Sequence, residues 1–281
     1  IPGYEPEELP YEASSTDLIA PSVTGLGFLD AVSDADLLAI EDPNDEDGDG
    51  VSGKVHWNTI PEYSQKRPNS VENDGMYICR IGKKGAAYDL QHQTVEAYNE
   101  DMGITSLFNP FDVYSGEEID PEVGTSALND VVFYLKVLKA PIQRNQDDAD
   151  VIAGGELFDQ IGCGACHLPT MTTSQSPITQ LNYVEFHPYT DLLLHDMGLG
   201  LDDGYTEGYA ETYEWRTPPL WGLGLTPDAQ GGEYFLMHDG RARSIDEAIM
   251  IHGGEGDHSK LNYADLSDDD KSKLITFLES L

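Results

Sequence analysis

The sequence is short of positive charge. Its 281 residues hold 15 Lys plus Arg against 52 Asp plus Glu, a formal net charge of −37 at pH 7. Such a chain repels phosphate backbones and anionic membrane faces, which excludes nucleic acid as a partner. Partners should instead be basic, cation-bridged, or copies of the chain held by close packing. No apolar run approaches the roughly 20 residues that a spanning helix needs, so membrane insertion is not expected. Cysteine is scarce too, and an odd count of three gives no disulfide framework. The opening Ile1-Pro2-Gly3-Tyr4 has neither an initiator Met nor a signal-peptide pattern, and reads as the start of a processed or trimmed soluble chain. Core material is plentiful: 39% hydrophobic residues, with 15 Tyr, 8 Phe and 3 Trp, suffice for one large domain or two ordinary ones.

Residues 1–20 are rich in Pro, Glu, Ser and Thr without periodicity and read as an extended arm. An amphipathic stretch around Phe28 to Ile40 leads into the acidic run Asp42 to Gly53. Helices are expected from about Leu90 to Asp101 and over Ser126 to Lys139, where Leu128, Val131, Val132, Leu135 and Leu138 keep helical spacing until Pro141 ends it. The polar stretch Gln143 to Asp148 divides an N-terminal domain, 21–145, from a C-terminal one, 146–281. A helix carrying Leu157, Phe158 and Ile161 opens the second, and a long Gly- and Tyr-rich segment with little regular structure follows to about Gly232. Two short helices close the chain, with capping signals at Ser244/Glu247 and Ser267/Asp270. The last should bury Leu274, Phe277, Leu278 and Leu281. The expected fold is mainly α, with long ordered loops and very little strand.

Cys163-Gly-Ala-Cys166-His167 is a C-x-x-C-H sequence, the attachment signature of a c-type haem. Two thiols one turn apart can add to the two vinyl groups on one porphyrin edge, and the adjacent imidazole then reaches the iron. A zinc half-site lacks its second pair of ligands, since the remaining Cys79 lies far upstream, and a thioredoxin-like pair lacks its βαβ context. Candidates for a sixth iron ligand are His195, Met197, Met237, His238 and His252. Ile245, Ala248, Ile249 and His252 share one helix face, and Gly253-Gly254 ends the helix. On this pattern His252 is equally a ligand or a core imidazole hydrogen-bonded within the fold. The two Met residues are the commoner core packing.

Asp45, Asp47 and Asp49 followed by Gly50 match the opening of an EF-hand-like loop, with the Val51 carbonyl at the next ligand position and Asp42 as a further oxygen. Acids packed this closely repel one another, which favours bound Ca²⁺ over a solvated turn. The closing Glu is missing, because His56 stands in its place.

From about Gly25 onward the chain resembles the di-haem oxidoreductases of the predicted thiol oxidoreductase type, relatives of bacterial di-haem cytochrome c peroxidases and of MauG. The matching segments are Gly25 to Val32, Asp42 to Gly53, Asp101 to Thr105, Tyr189 to Gly198, Glu214 to Gly222, and His238 to Arg243 continuing through His252-Gly-Gly-Glu255. The resemblance implies a cytochrome c-like C-terminal domain, and it places the second axial ligand at His252. It also implies two C-x-x-C-H sites, whereas this sequence has one. Residues 21–145 therefore correspond to a degenerate cytochrome-like domain without its haem. Trp215 and Trp221 are expected against the porphyrin or in the core, and Arg216 is a candidate partner for a haem propionate.

The resulting expectation is a mono-haem c-type cytochrome, periplasmic or secreted, with one covalent haem c and Ca²⁺. With its iron held by His167 and His252, it would pass single electrons to a redox partner or between copies of itself in an oligomer or filament. A peroxidase-like haem enzyme is the alternative, and a domain stapled by a structural haem is the third reading.

Overall fold

The computed structural model describes residues 14–281, so the first part of the expected arm, residues 1–13, lies outside the described residues. The rest of the arm is held at Ile19, whose N–H donates to the His238 carbonyl at 2.9 Å. The stretch from Phe28 to Ile40 forms two helices, α1 (Leu26–Asp30) and α2 (Asp34–Ile40). Ser33 separates them: its backbone is extended and its Oγ accepts from the Asp36 N–H at 3.0 Å, capping α2.

A three-stranded antiparallel sheet follows, built from β1 (His56–Asn58), β2 (Glu72–Asn73) and β3 (Met76–Cys79) in the order β1-β3-β2. Trp57 lies opposite Ile78, and Glu72 opposite Tyr77. Next comes α3 (Leu90–Glu96), capped by Asp89, which passes directly into a π-helical turn at Ala97–Asp101. Helix α4 (Thr125–Val137) buries Leu128 and Val132, as its spacing predicts. A buried ion-pair network ties these elements together. Arg80 pairs with Asp34, Arg67 reaches Asp34 and Asp30 at 3.7 Å each, and Lys136 of α4 meets Asp30 at 3.3 Å.

In the C-terminal part, Asp148 caps α5 (Ala149–Gln160), which packs along the last helix, α9 (Asp268–Ser280). Gly154 makes that approach possible, because a Cβ there would sit 2.2 Å from the Lys273 carbonyl oxygen. The segment between them is richer in strand pairs than its composition suggests. It contains two antiparallel pairs, β4 (Met171–Thr172) with β5 (Glu185–Phe186) and β6 (Leu194–Asp196) with β7 (Glu214–Arg216). Three short helices follow, α6 (Thr226–Ala229), α7 (Ile245–Ile251) and α8 (Asp257–Ala264). Ser244 and Ser267 cap α7 and α9 as expected, and Leu274, Phe277, Leu278 and Leu281 are all buried.

The fold is mainly helical with small sheets. One hydrophobic cluster crosses residue 145, joining Leu29, Val32 and Ile78 to Phe186, Leu193 and Trp221. Trp221 is thus part of the core, its ring centroid 6.1 Å from that of Phe186. Gly25 permits this contact, since its φ is +73° and a Cβ would lie 2.4 Å from the Trp221 ring.

Candidate functional site

Helix α5 stops at Gln160, and Gly162, at φ +91°, turns the chain into a 3₁₀ turn over Cys163–Ala165. The turn sets Cys163 and Cys166 side by side, and the His167 N–H donates to the Cys163 carbonyl at 3.0 Å. Both thiols are free. Burial pushes the Cys163 thiol up to about 12 and raises that of Cys166 as well.

His167 Nδ1 lies 3.0 Å from the Tyr189 carbonyl oxygen, and His252 Nδ1 lies 2.8 Å from that of Ala248. A carbonyl can only accept, so each Nδ1 carries the proton and each Nε2 presents a lone pair. Burial holds both imidazoles neutral, lowering His167 to about 4 and depressing His252. A positive charge on His252 would disfavour charge on His167 further. Tyr189 holds its carbonyl in place at φ +55°, an uncommon conformation for a bulky residue. Its ring packs at 5.8 Å from both Phe158 and Phe277, and Phe158 lies 6.4 Å from His167.

His252 does not project from α7 as its spacing predicts. The helix ends at Ile251, His252 is the C-cap, and its ring folds back onto the last turn through the Ala248 bond. Among the other ligand candidates, His195 is fully engaged, with Nε2 at 2.8 Å from Asp191 and Nδ1 at 2.7 Å from Glu255. His238 stacks on Trp215, centroids 3.8 Å apart and planes at 9°. Met197 packs beside His252 around Gly256. Trp215 donates from Nε1 to the Leu201 carbonyl at 2.8 Å, and Arg216 donates from Nε to Gly82 and from Nη1 to Thr217, both at 2.9 Å.

Ser52, Asp191 and Glu255 join the site, each inside a segment that carries the family resemblance but none singled out there. Glu255 accepts from the Ser52 N–H at 3.0 Å, the Ser52 hydroxyl at 2.7 Å and the Asp196 N–H at 3.2 Å, in addition to its contact with His195. Cys166 Sγ lies 3.6 Å from His195 Nδ1, so this network borders the attachment motif. Glu255 follows His252 by three residues and Asp191 precedes His195 by four, yet neither spacing reveals Ser52.

In the acidic loop, carboxylate oxygens of Asp42, Asp45 and Asp47 lie within 4.8 Å of one another. This oxygen-only set suits a hard cation. Asp49 stands outside it, its Oδ1 accepting from the Val51 N–H at 2.8 Å. His56 is no ligand: it is buried between the Lys84 carbonyl at 2.8 Å and the Tyr209 N–H at 3.1 Å.

Residues 16–281 match the family described as "Di-haem oxidoreductase, putative peroxidase". Among solved structures, the chain is similar to Kuenenia stuttgartiensis hydrazine synthase pressurised with xenon, at 15% identity and a TM-score of 0.41 over 100% of this chain and 97% of that one. It is also similar to a MauG-like protein associated with microbial copper homeostasis, at 16% identity and a TM-score of 0.42 over 99% and 95%. No curated protein matches it. Because that family match spans nearly the whole length, the chain belongs to the di-haem oxidoreductase family.

Proposed function

We propose that Cys163, Cys166, His167 and His252 hold one covalent haem c, and that this site transfers single electrons outside the cytoplasm. The observation that carries the reading is the matched pair of Nδ1-to-carbonyl bonds, from His167 to Tyr189 and from His252 to Ala248, which leaves each Nε2 lone pair free for a metal. A haem so held supplies reversible one-electron iron chemistry, at a potential below that of a His/Met pair. The chain does the positioning. Tyr189 and Ala248 fix the tautomers, and Phe158, Tyr189 and Phe277 form an aromatic cluster beside His167.

Were His167 and His252 both to hold the iron, no position would be left for peroxide. That separates the electron carrier from a peroxidase-like oxidoreductase, the second reading, which the family description favours and which requires His252 to withdraw. The optical spectrum tests the choice. Low-spin bands unchanged by cyanide or peroxide support the carrier, and a high-spin ferric component that binds peroxide supports the enzyme.

Asp42, Asp45 and Asp47 would hold a structural Ca²⁺, with the Val51 carbonyl as a further oxygen. Covalent haem attachment of this type is made outside the cytoplasm, so the protein would work in the periplasm or beyond the cell. No helix among the described residues is long and apolar enough to cross a membrane. The electron partner is a separate redox protein or a second copy of the chain. A net charge of −37 favours a basic partner, or contacts between copies made by close packing or bridging cations.

A further inference from the structure

The turn that presents His252 is held from two sides. On one side it lies flat against the end of β6. A Cβ on Gly254 would sit 2.1 Å from the Asp196 carbonyl oxygen, and one on Gly253 would sit 2.9 Å from that of Met197. Glu255 fixes the same side by accepting from the Asp196 N–H and from the Ser52 N–H and hydroxyl. This is backbone packing and a carboxylate held by several donors, so it opens only if the fold opens with it.

The other side depends on one side chain. Past the end of α7 the Gly256 N–H donates to Gly253 at 3.0 Å, not to His252, so the His252 carbonyl drops out of the helical ladder. Lys260, the fourth residue of α8, donates to that carbonyl from Nζ at 2.6 Å. Asp257, the first residue of α8, pairs with the same ammonium. The lysine thereby closes a loop that runs from His252 through the 3₁₀ turn Gly254–Gly256 and back. That closure lies directly behind the imidazole, because a Cβ on Gly256 would be 3.1 Å from His252 Cβ and 3.2 Å from Cδ2. The Lys260 side chain is 21% exposed, so its ammonium can turn out to water by rotation about its own stem.

We infer that Lys260 is the positioning residue that keeps His252 on the haem iron, and that its release opens the sixth position to an external ligand. The inference rests on the reading of His252 as a ligand. It assigns to one lysine the step that separates the electron carrier from the peroxidase-like reading. A ligand such as cyanide enters only where His252 has withdrawn, so its apparent affinity scales with the withdrawn fraction.

The test is a ferric optical spectrum and a cyanide titration of the haem-loaded full chain and of its Lys260→Met, Lys260→Arg and Lys271→Met variants. Lys271 donates to the Ala264 carbonyl at 2.9 Å at the far end of α8, so its variant loses a like bond away from His252. Lys260→Met should bind cyanide roughly tenfold more tightly than wild type, the factor expected when a hydrogen bond from a charged donor is lost. Lys260→Arg should restore the wild-type response, and Lys271→Met should keep it whatever its stability. If Lys260→Met sheds its haem, Lys260→Gln, which keeps a neutral donor, takes its place in the comparison. Equal cyanide affinity in wild type and Lys260→Met would overturn the proposal. An equal rise in Lys271→Met would overturn it too, since that would mean general loosening. A wild type that is already high-spin and saturates with cyanide is a different failure, that of His252 as a ligand, and takes the proposal with it.

Discussion

Ser52 Oγ donates to Glu255 Oε1 at 2.7 Å, joining the end of the acidic loop to the turn just after His252. Glu255 also holds His195, and His195 adjoins Cys166, so the loop, the histidine turn and the attachment motif form one hydrogen-bonded unit. Ser52→Ala removes a hydroxyl donor to a partly buried carboxylate, a bond worth about 1.5–3 kcal/mol. Urea unfolding should show a loss of that order with an unchanged slope. Unaltered stability would mean that solvent replaces the hydroxyl.

The same unit gives the protein a defined pH response. Burial alone would lower His195, but its hydrogen bonds with Asp191, Cys166 and Glu255 outweigh burial and raise it well above 6.5. Its contribution is therefore complete below the unfolded value of 6.5 and is lost as pH rises through the folded one. Burial likewise opposes the charged form of Glu255, yet His195 and Ser52 hold it below 4.5. That contribution is present above 4.5 and fades as pH falls through the lower folded value. The melting-temperature gap between wild type and His195→Gln should be widest between 4.5 and 6.5 and should close in alkali. A gap that is flat with pH contradicts the ionised pair.

Removal of calcium should loosen the loop from Asp42 to Gly53. At 100 times its dissociation constant, a ligand that binds only the folded state adds about 2.7 kcal/mol. A clear drop in melting temperature with EDTA, reversed by Ca²⁺ and absent in Asp45→Asn, is the expected result. No drop in the wild type would return the acids to a solvated turn.

Gly154→Ala tests the packing that supports the attachment motif. Its Cβ would collide with the Lys273 carbonyl and with Phe277, which packs against Tyr189. Overpacking of this kind typically costs about 1–3 kcal/mol. Parallel losses in melting temperature and in retained haem would show that the α5–α9 contact shapes the site.

Much of this arrangement is written locally. Cys163, Cys166 and His167 are adjacent in sequence, and Ser244, Ser267 and the Leu274–Leu281 spacing act within two or three turns, so pattern alone finds them. The helical period also exposed His252, but it ran one residue too far. Gly253 and Gly254 release the helix at Ile251, and the imidazole turns back on Ala248. The small sheets left little trace, because strands of two to four residues such as Glu72–Asn73 are too short to show alternation. Ser52 and Glu255 stand 203 residues apart. Only folding brings such pairs together, and no period records them.

In the proposed site His167 and His252 would both ligate one haem iron. The ferric electron paramagnetic resonance spectrum of the haem-loaded protein, compared with that of His252→Met, tests it most directly. The account predicts a low-spin signal of two imidazole ligands in the wild type, with a changed signal and a raised midpoint potential in the variant. A high-spin wild type, or an identical spectrum and potential in His252→Met, would contradict it.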